Sequence, residues 1–267
     1  MSKILICIAV YDTAENGRFA YTVETCDGIV KNINRDTTQV VFINNDSCEP
    51  TTDHLNRVSK LHSNINVIHN ENNIGTAEAI NLGIQKYAEE GDFIIKMDND
   101  VVVQEFGWAD KMRRCIESNP ELGVLGLKRK DLPNSPTSKE YPTELAFAKT
   151  ELGEPWDVIE YCDDIIGTCQ MFNPLLFDKI GYLYQPGLYG FDDVLYCVRS
   201  KLSGFKNAFY PSIEIDHIDE GEGGYVEWKR QYAGTQFPMV NGIIEKYRSG
   251  EKELYYNPYQ QGNEHRF

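Results

Sequence analysis

Four apolar runs separated by stretches of helical periodicity constrain the fold of this chain more than any other feature. ILICIAV (4–10) is continuously apolar, the pattern of a strand buried on both faces. Phe19, Val23, Cys26, Val30 and Ile33 then recur at spacings of four and three, one stripe of a helix. TQVVFIN (38–44) reads as a second strand, followed by a helix with Leu55, Val58 and Leu61 on one face. INVIH (65–69) is a third strand, and Ala77, Ile80, Ile84 and Tyr87 mark a helix from Thr76 to Ala88. FIIKMDND (93–100) closes the series with a strand that ends in two acids. This alternation predicts an α/β fold with a mostly parallel sheet flanked by helices.

Open sheets of this kind bind ligands outside the carboxyl ends of their strands. The residues there are Tyr11-Asp12, Asn44-Asn45-Asp46, Asn70 to Gly75, and Asp98-Asn99-Asp100. All four stretches are polar and rich in side-chain oxygens, so together they predict one site on one sheet edge.

The second half is less regular. A helix from Trp108 to Ser118 precedes a strand at 122–128, and a long loop rich in Pro, Ser and Lys runs to Pro142. WDVIEYCDDIIGTCQMF reads as one or two strands. Asn173, Pro174 and Gly181 bound a short helix, and FDDVLYCVRSKLSG is another. NAFYPSIEIDH is a late strand whose proline predicts an edge position. The last 40 or so residues carry few regular signals and read as a lid or a covering tail. One domain over 1–267 is expected, with a ligand-binding half (1–100), a second half (101–225) and the tail (226–267).

Composition excludes several classes. A net charge of −15 opposes non-specific binding to nucleic acid or anionic membrane. Lys128-Arg129-Lys130 is one local basic candidate, and a solvated loop is the favoured reading of it. Seven scattered cysteines without CxxC spacing read as reduced structural thiols, which favours a cytoplasmic location. The N-terminal apolar run is too short to cross a membrane and fits a core strand better.

Four constellations carry chemistry. Asp98 and Asp100 share one side of an extended chain and can reach one cation, or a cation and a ribose. Hard oxygen ligands suit Mg²⁺ or Mn²⁺; a polar turn is the plain alternative. Asn73 and Gly75 lead into a helix whose first N–H groups could meet an anion, or could simply be well capped. Asp192 and Asp193 begin a helix, where the dipole favours carboxylates; one could act as a general base, or both could be ordinary first-turn acids. His217 ends the late strand before a glycine-rich acidic loop, and a lone histidine is more often structural than catalytic.

The order of these elements resembles the family 2 glycosyltransferases of GT-A fold. That pattern has VDN-x-S after the second strand, N-x-G with a downstream Asn, a DxD, a glycine before a helix, and E-D-x-D with Arg beyond. Here INNDS (43–47), Asn73, Gly75, Asn81, DND (98–100), Gly167, Asp192-Asp193 and Arg199 stand in those places. The resemblance covers residues 3 to 217. It implies a Rossmann-like GT-A sheet with an acceptor-side C-terminal half, and a metal-dependent, inverting transfer of a sugar from a nucleotide-diphosphate donor. It implies Asp193, or secondarily Asp192, as the base that deprotonates an acceptor hydroxyl. Asp100, with Asp98 and His217, would hold Mn²⁺ or Mg²⁺ against the diphosphate. Val10, Tyr11, Asp12, Asn44, Asn73, Gly75, Asp98 and Asn99 would face the donor, with a UDP-sugar favoured. Two departures stand out: Asn44 replaces a frequent Asp, and Leu195 replaces the second acid of E-D-x-D while Asp192 replaces its Glu.

Two other readings compete. A nucleotidyltransferase that makes nucleotide sugars would open with a glycine-rich basic loop, and VYDTAENGRF has one Gly and one Arg. A non-catalytic nucleotide-sugar-binding domain would not need Asp98, Asp100 and Asp193. The acceptor stays open among carbohydrate, lipid- or protein-linked glycan and modified nucleic acid, with the 130–142 loop and the tail as expected contact regions.

Overall fold

The computed structural model describes residues 3–132, 144–150, 153, 155–219 and 224–260. Its first half runs β1 (Ile4–Val10), α1 (Phe19–Asn32), β2 (Thr38–Asn45), α2 (Glu49–Leu61), β3 (Ile65–Asn70), α3 (Thr76–Tyr87) and β4 (Phe93–Met97). The second half runs β5 (Val101–Val103), α4 (Trp108–Ser118), β6 (Leu122–Arg129), β7 (Glu144–Lys149), β8 (Pro155–Tyr161) and β9 (Cys169–Phe172), then α5 (Pro174–Ile180), α6 (Asp192–Leu202), β10 (Lys206–His217) and α7 (Gly224–Arg248).

One sheet runs through both halves in the order β3-β2-β1-β4-β9-β6-β10-β8-β7, with β5 paired to β10. β3, β2, β1 and β4 are parallel neighbours, as the alternation predicts. β1 is buried on both faces. Ile4, Ile6, Ile8 and Val10 join α1 and α4 in one core, whereas Leu5 and Cys7 join α3 and α6 in another. That division is the two-residue period of a strand between two helical layers.

β9 is antiparallel to both β4 and β6, and β6 is parallel to β10. The reversal decides the site. The carboxyl ends of β1, β2, β4, β6 and β10 all point one way, and the segment entering β9 arrives at that same edge. Met97 pairs with Cys169, and the Asp98 amide donates to the Thr168 carbonyl at 3.0 Å. Gly167 is thereby brought beside Asp98.

Several expectations need correction. β10 is not an edge strand: it lies between β6 and β8, and its end pairs with β5. Pro211 is tolerated because the pairing with β6 shifts between Phe209 and Glu214, while β8 pairs only with Ala208 and Phe209. The missing N–H of proline therefore falls outside the ladder. The edge strands are β3 and β7, and β7 is a strand the sequence did not suggest. Leu61 of α2 is 71% exposed rather than buried, and on α1 the buried face runs through Thr22, Thr25, Cys26 and Ile29 while Phe19 is exposed. The tail contains the 25-residue helix α7, which Pro238 and two internal glycines disguise in the sequence. Most of the 130–142 loop lies outside the described residues.

No disulfide joins any of the seven cysteines. Each basic side chain of the 128–130 run has an acidic partner: Lys128 with Glu160, Arg129 with Asp131, and Lys130 with Asp216 at 2.7 Å. The run is therefore an ion-paired surface, not a free basic patch. Among the described residues no helix is long and apolar enough to cross a membrane.

Arg199 proves to be a buried clamp on the fold. Its guanidinium donates to the carbonyls of Leu254 (2.7 Å), Tyr182 (2.8 Å) and Ile180. These bonds fasten the segment after α7 to the helix that carries Asp193. Arg199→Met removes a charged donor from three carbonyls, and a loss of about 3 kcal/mol is expected in urea unfolding. A variant as stable as the parent would show that the clamp does not hold the tail.

Candidate functional site

The converging strand ends line a cleft of about 1020 Å³, a size suited to a nucleotide-sized ligand. Val10, Tyr11, Asn73, Asp98, Asn99, Asp100, Asp192, Asp193 and His217 all face it. Residues from four strand ends, α6 and the segment before β9 thus meet in one place.

Asp12, Asn44 and Gly75 lie behind the cleft wall instead. Asp12 is fully buried: Thr22 (2.7 Å) and Thr51 (3.0 Å) donate to one oxygen and Asn99 (3.1 Å) to the other. Asn44 accepts from the Ser47 amide at 3.0 Å, and its amide nitrogen meets Thr52 and His69. The Asp12 side chain ties the end of β1 to α1, α2 and the segment after β4, and the Asn44 side chain ties the end of β2 to the start of α2 and to β3. Gly75 is needed for close approach, because a Cβ there would come within 3.0 Å of the Leu188 backbone at a φ of +89°. The first amides of α3 are capped as well: Thr76 donates to the Leu188 carbonyl (3.1 Å) and Ala77 to the Gln185 side chain (3.0 Å). The anion-binding reading of this helix start therefore gives way to the capped one. Asn81 bonds Leu183 through both its carbonyl oxygen and its amide nitrogen, so the N-x-G…Asn pattern mainly builds the cleft wall.

At the floor, Asp100 is 3% exposed. One oxygen pairs with the Arg18 guanidinium and lies 3.6 Å from the His217 ring. Its other oxygen, Oδ1, is buried with no partner among the described residues, as is His217 Nδ1. Burial pushes the His217 pKa below its ordinary value, although Asp100 opposes that shift. His217 reaches this point because it ends β10 opposite Val101 of β5, directly after Asp100. Asp98 does not complete a three-ligand cluster with them. Its carboxylate turns to Lys96 at 3.7 Å, and among the described residues no three His, Cys, Asp or Glu side chains converge to hold a metal.

The acid pair divides in two. Phe191 takes a left-handed φ of 66° just before α6, an unusual state for a bulky residue. Asp192 is buried, 3.1 Å from Lys96 Nζ. Asp193 is half-buried; its Oδ2 accepts from the Gly167 amide and its Oδ1 from the Val194 amide, both at 2.8 Å. Burial and the charge of Asp192 raise the Asp193 pKa, while Lys96 and the two amides pull it down.

Sequence reasoning missed three basic residues of this cleft. Arg18 bridges Asp100 to Asp219 (2.7 Å), Lys96 lies under the acid pair, and Lys229 of α7 stands 3.6 Å from Asp219. Lys96 had a visible signal, being a lysine inside an apolar strand. Arg18 is set by its contacts with Asp100 and Asp219, and Lys229 also lies 5.6 Å from the Tyr189 ring centre, contacts that no local pattern reports.

Comparisons with known proteins agree with the fold. An uncharacterized glycosyltransferase of Haemophilus influenzae is 27% identical over 106 residues, covering 40% of this chain and 32% of that protein. Three solved structures share the fold. The mannosyltransferase PcManGT from Pyrobaculum calidifontis, in complex with GDP-Man and Mn²⁺, has a TM-score of 0.62 at 16% identity, covering 85% of this chain and 59% of that one. S. aureus TarS with UDP-GlcNAc gives 0.60 at 17%, covering 84% and 60%. GalNAc-T7 with UDP, GalNAc and Mn²⁺ gives 0.63 at 14%, covering 81% and 44%. The chain thus spans about a third of the curated relative and about three-fifths of the first two structures. The family model described as Glycosyl transferase family 2 matches residues 6–180, about two-thirds of the chain, and with that match the chain belongs to glycosyl transferase family 2.

Proposed function

We propose that this protein is a metal-dependent, inverting glycosyltransferase that uses a nucleotide-diphosphate sugar, with Asp193 as the general base. The observation that carries the reading is that one cleft holds both Asp193, anchored by the Gly167 amide, and Asp100, whose Oδ1 is buried without a partner among the described residues. An unpartnered carboxylate oxygen in a buried position is costly unless a ligand completes it.

Charge supports the same reading. Among the described residues seven carboxylates and four basic side chains line the cleft, so a diphosphate entering alone would meet net repulsion. Asp100 and His217 would hold a divalent cation, with the remaining positions left to diphosphate oxygens, the usual arrangement for Mg²⁺. Bound there, the cation would neutralise the leaving diphosphate. Asp193 takes the proton from the acceptor hydroxyl as its oxygen forms a bond to the anomeric carbon. The bond from that carbon to the diphosphate breaks on the opposite face, and the nucleotide diphosphate leaves with the electron pair. Tyr11 and the backbone of Val10 would border the nucleoside. Asn44, turned away from the cleft, would not select the base. A UDP-sugar remains the favoured donor by family resemblance. The acceptor would approach past Leu188, Tyr189 and Phe191, which line the cleft beside Asp193.

A thermal-shift panel of UDP- and GDP-sugars, each with Mn²⁺ or EDTA, tests the reading. Ligand binding raises apparent stability by mass action, and at about 100 times Kd the gain is about 2.7 kcal/mol. A rise in Tm with one nucleotide sugar that EDTA abolishes is the expected result. Shifts indifferent to EDTA would remove the metal from the reading, and no shift at all would remove the donor.

A further inference from the structure

We infer that Lys96 is a positioning residue for transfer, the buried ammonium that locks α6 against the strand bearing Asp98 so that Asp193, the more exposed of its pair, is presented to the acceptor. The inference rests on the transferase reading above and adds a residue to it. Lysine is almost never fully buried unless paired, yet Lys96 is 4% exposed in the middle of the sheet, between Cys7 of β1 and Gln170 of β9. Its Nζ lies 3.1 Å from Asp192 Oδ2 and 3.7 Å from Asp98 Oδ1. A two-residue step along β4 places Lys96 and Asp98 on one face, and the acid pair of α6 descends onto that face.

Gly167 completes the unit. A Cβ at that position would come within 2.6 Å of Lys96 Nζ and 3.0 Å of Asp193 Oδ2. The ammonium, the glycine backbone and the Asp193 carboxylate are therefore packed against one another, with the Gly167 N–H directed at Asp193. The positive charge draws Asp192 inward. With Asp192 held, the next residue on the helix is directed to the cleft.

A purely structural pair would behave differently, and two variants separate the cases. Lys96→Met strands the buried Asp192 and is expected to lower both Tm and turnover. The double variant Lys96→Met with Asp192→Asn removes both charges, and its Tm is expected to return toward the parent value. Turnover of the double variant, read as release of the nucleotide diphosphate from the nucleotide sugar identified in the panel, is expected to stay down about 100-fold, the cost of a roughly 1 Å misplacement. The donor KM is expected to be unchanged. Recovery of kcat together with Tm would overturn the inference, as would a loss confined to donor KM. Absence of release by the unmodified protein would instead refute the transferase reading, and the role of Lys96 would fall with it.

Discussion

Asp193→Asn is expected to lower sugar transfer by about 10²- to 10⁴-fold, the usual worth of a positioned general base, with little change in donor affinity. Asparagine keeps the shape of the side chain and can still accept one of the two amide hydrogen bonds from Gly167 and Val194. It cannot take a proton from an acceptor. The pH dependence supplies a second readout. A base works in its ionised form, so the rate rises with pH through the pKa of Asp193 and levels off above it. Burial and Asp192 raise that pKa, so the acid limb should lie above the ordinary carboxylate value of about 3.9. The limb should vanish in Asp193→Asn. Donor binding by calorimetry should be retained. A variant with full turnover, or one that loses donor binding and turnover equally, would rule out the base assignment.

Asp100→Asn should abolish the Mn²⁺-dependent part of donor binding and reduce transfer by about 10²- to 10³-fold or more. The physical reason lies at the cleft floor. Among the described residues Asp100 is the carboxylate that meets both Arg18 and His217, and its Oδ1 is buried without a partner there. The substitution keeps the volume but removes the charge. Arg18 retains Asp219 at 2.7 Å, so the surrounding fold should survive. The measurement is the thermal shift produced by nucleotide sugar in the presence of Mn²⁺. A shift equal to that of the parent would place the cation elsewhere. Asp98→Asn should have a weaker effect on this shift, because Asp98 faces Lys96 rather than the Asp100–His217 pair.

The legibility of the molecule in its sequence depends on the range of the interactions. β1 to β4 and their helices were readable because burial on two faces imposes a continuous apolar run, and an amphipathic helix imposes a 3.6-residue period. Asn173 was readable as a cap because a cap is a contact within a few residues, and its side chain accepts from the Leu175 amide. β7 and α7 were not. β7 is short and largely exposed: Ala146 and Ala148 turn to the core while the larger Leu145 and Phe147 face outward, so its apolar residues misreport the buried face. α7 contains a proline and two internal glycines and is stabilised by docking, as where the Tyr232 hydroxyl accepts from the Leu188 amide.

The candidate site divides along the same line. The sequence by itself determined the α/β class and the polar, carboxylate-rich ends of the parallel strands, since those depend on period and on the residue types just past each strand. Only the tertiary structure decided which of those residues face the cleft. Asp12 and Asn44 have the composition of site residues, yet they turn inward to bond Thr22, Thr51 and Ser47. Lys96, a residue of an apolar strand, instead becomes the centre of the acid cluster. The antiparallel insertion of β9 between β4 and β6 brings Gly167 to Asp193 and fixes where α6 can sit. A periodic pattern records whether a residue is buried, whereas the partner it is buried against depends on strand order, and strand order is set by packing between segments far apart in the chain.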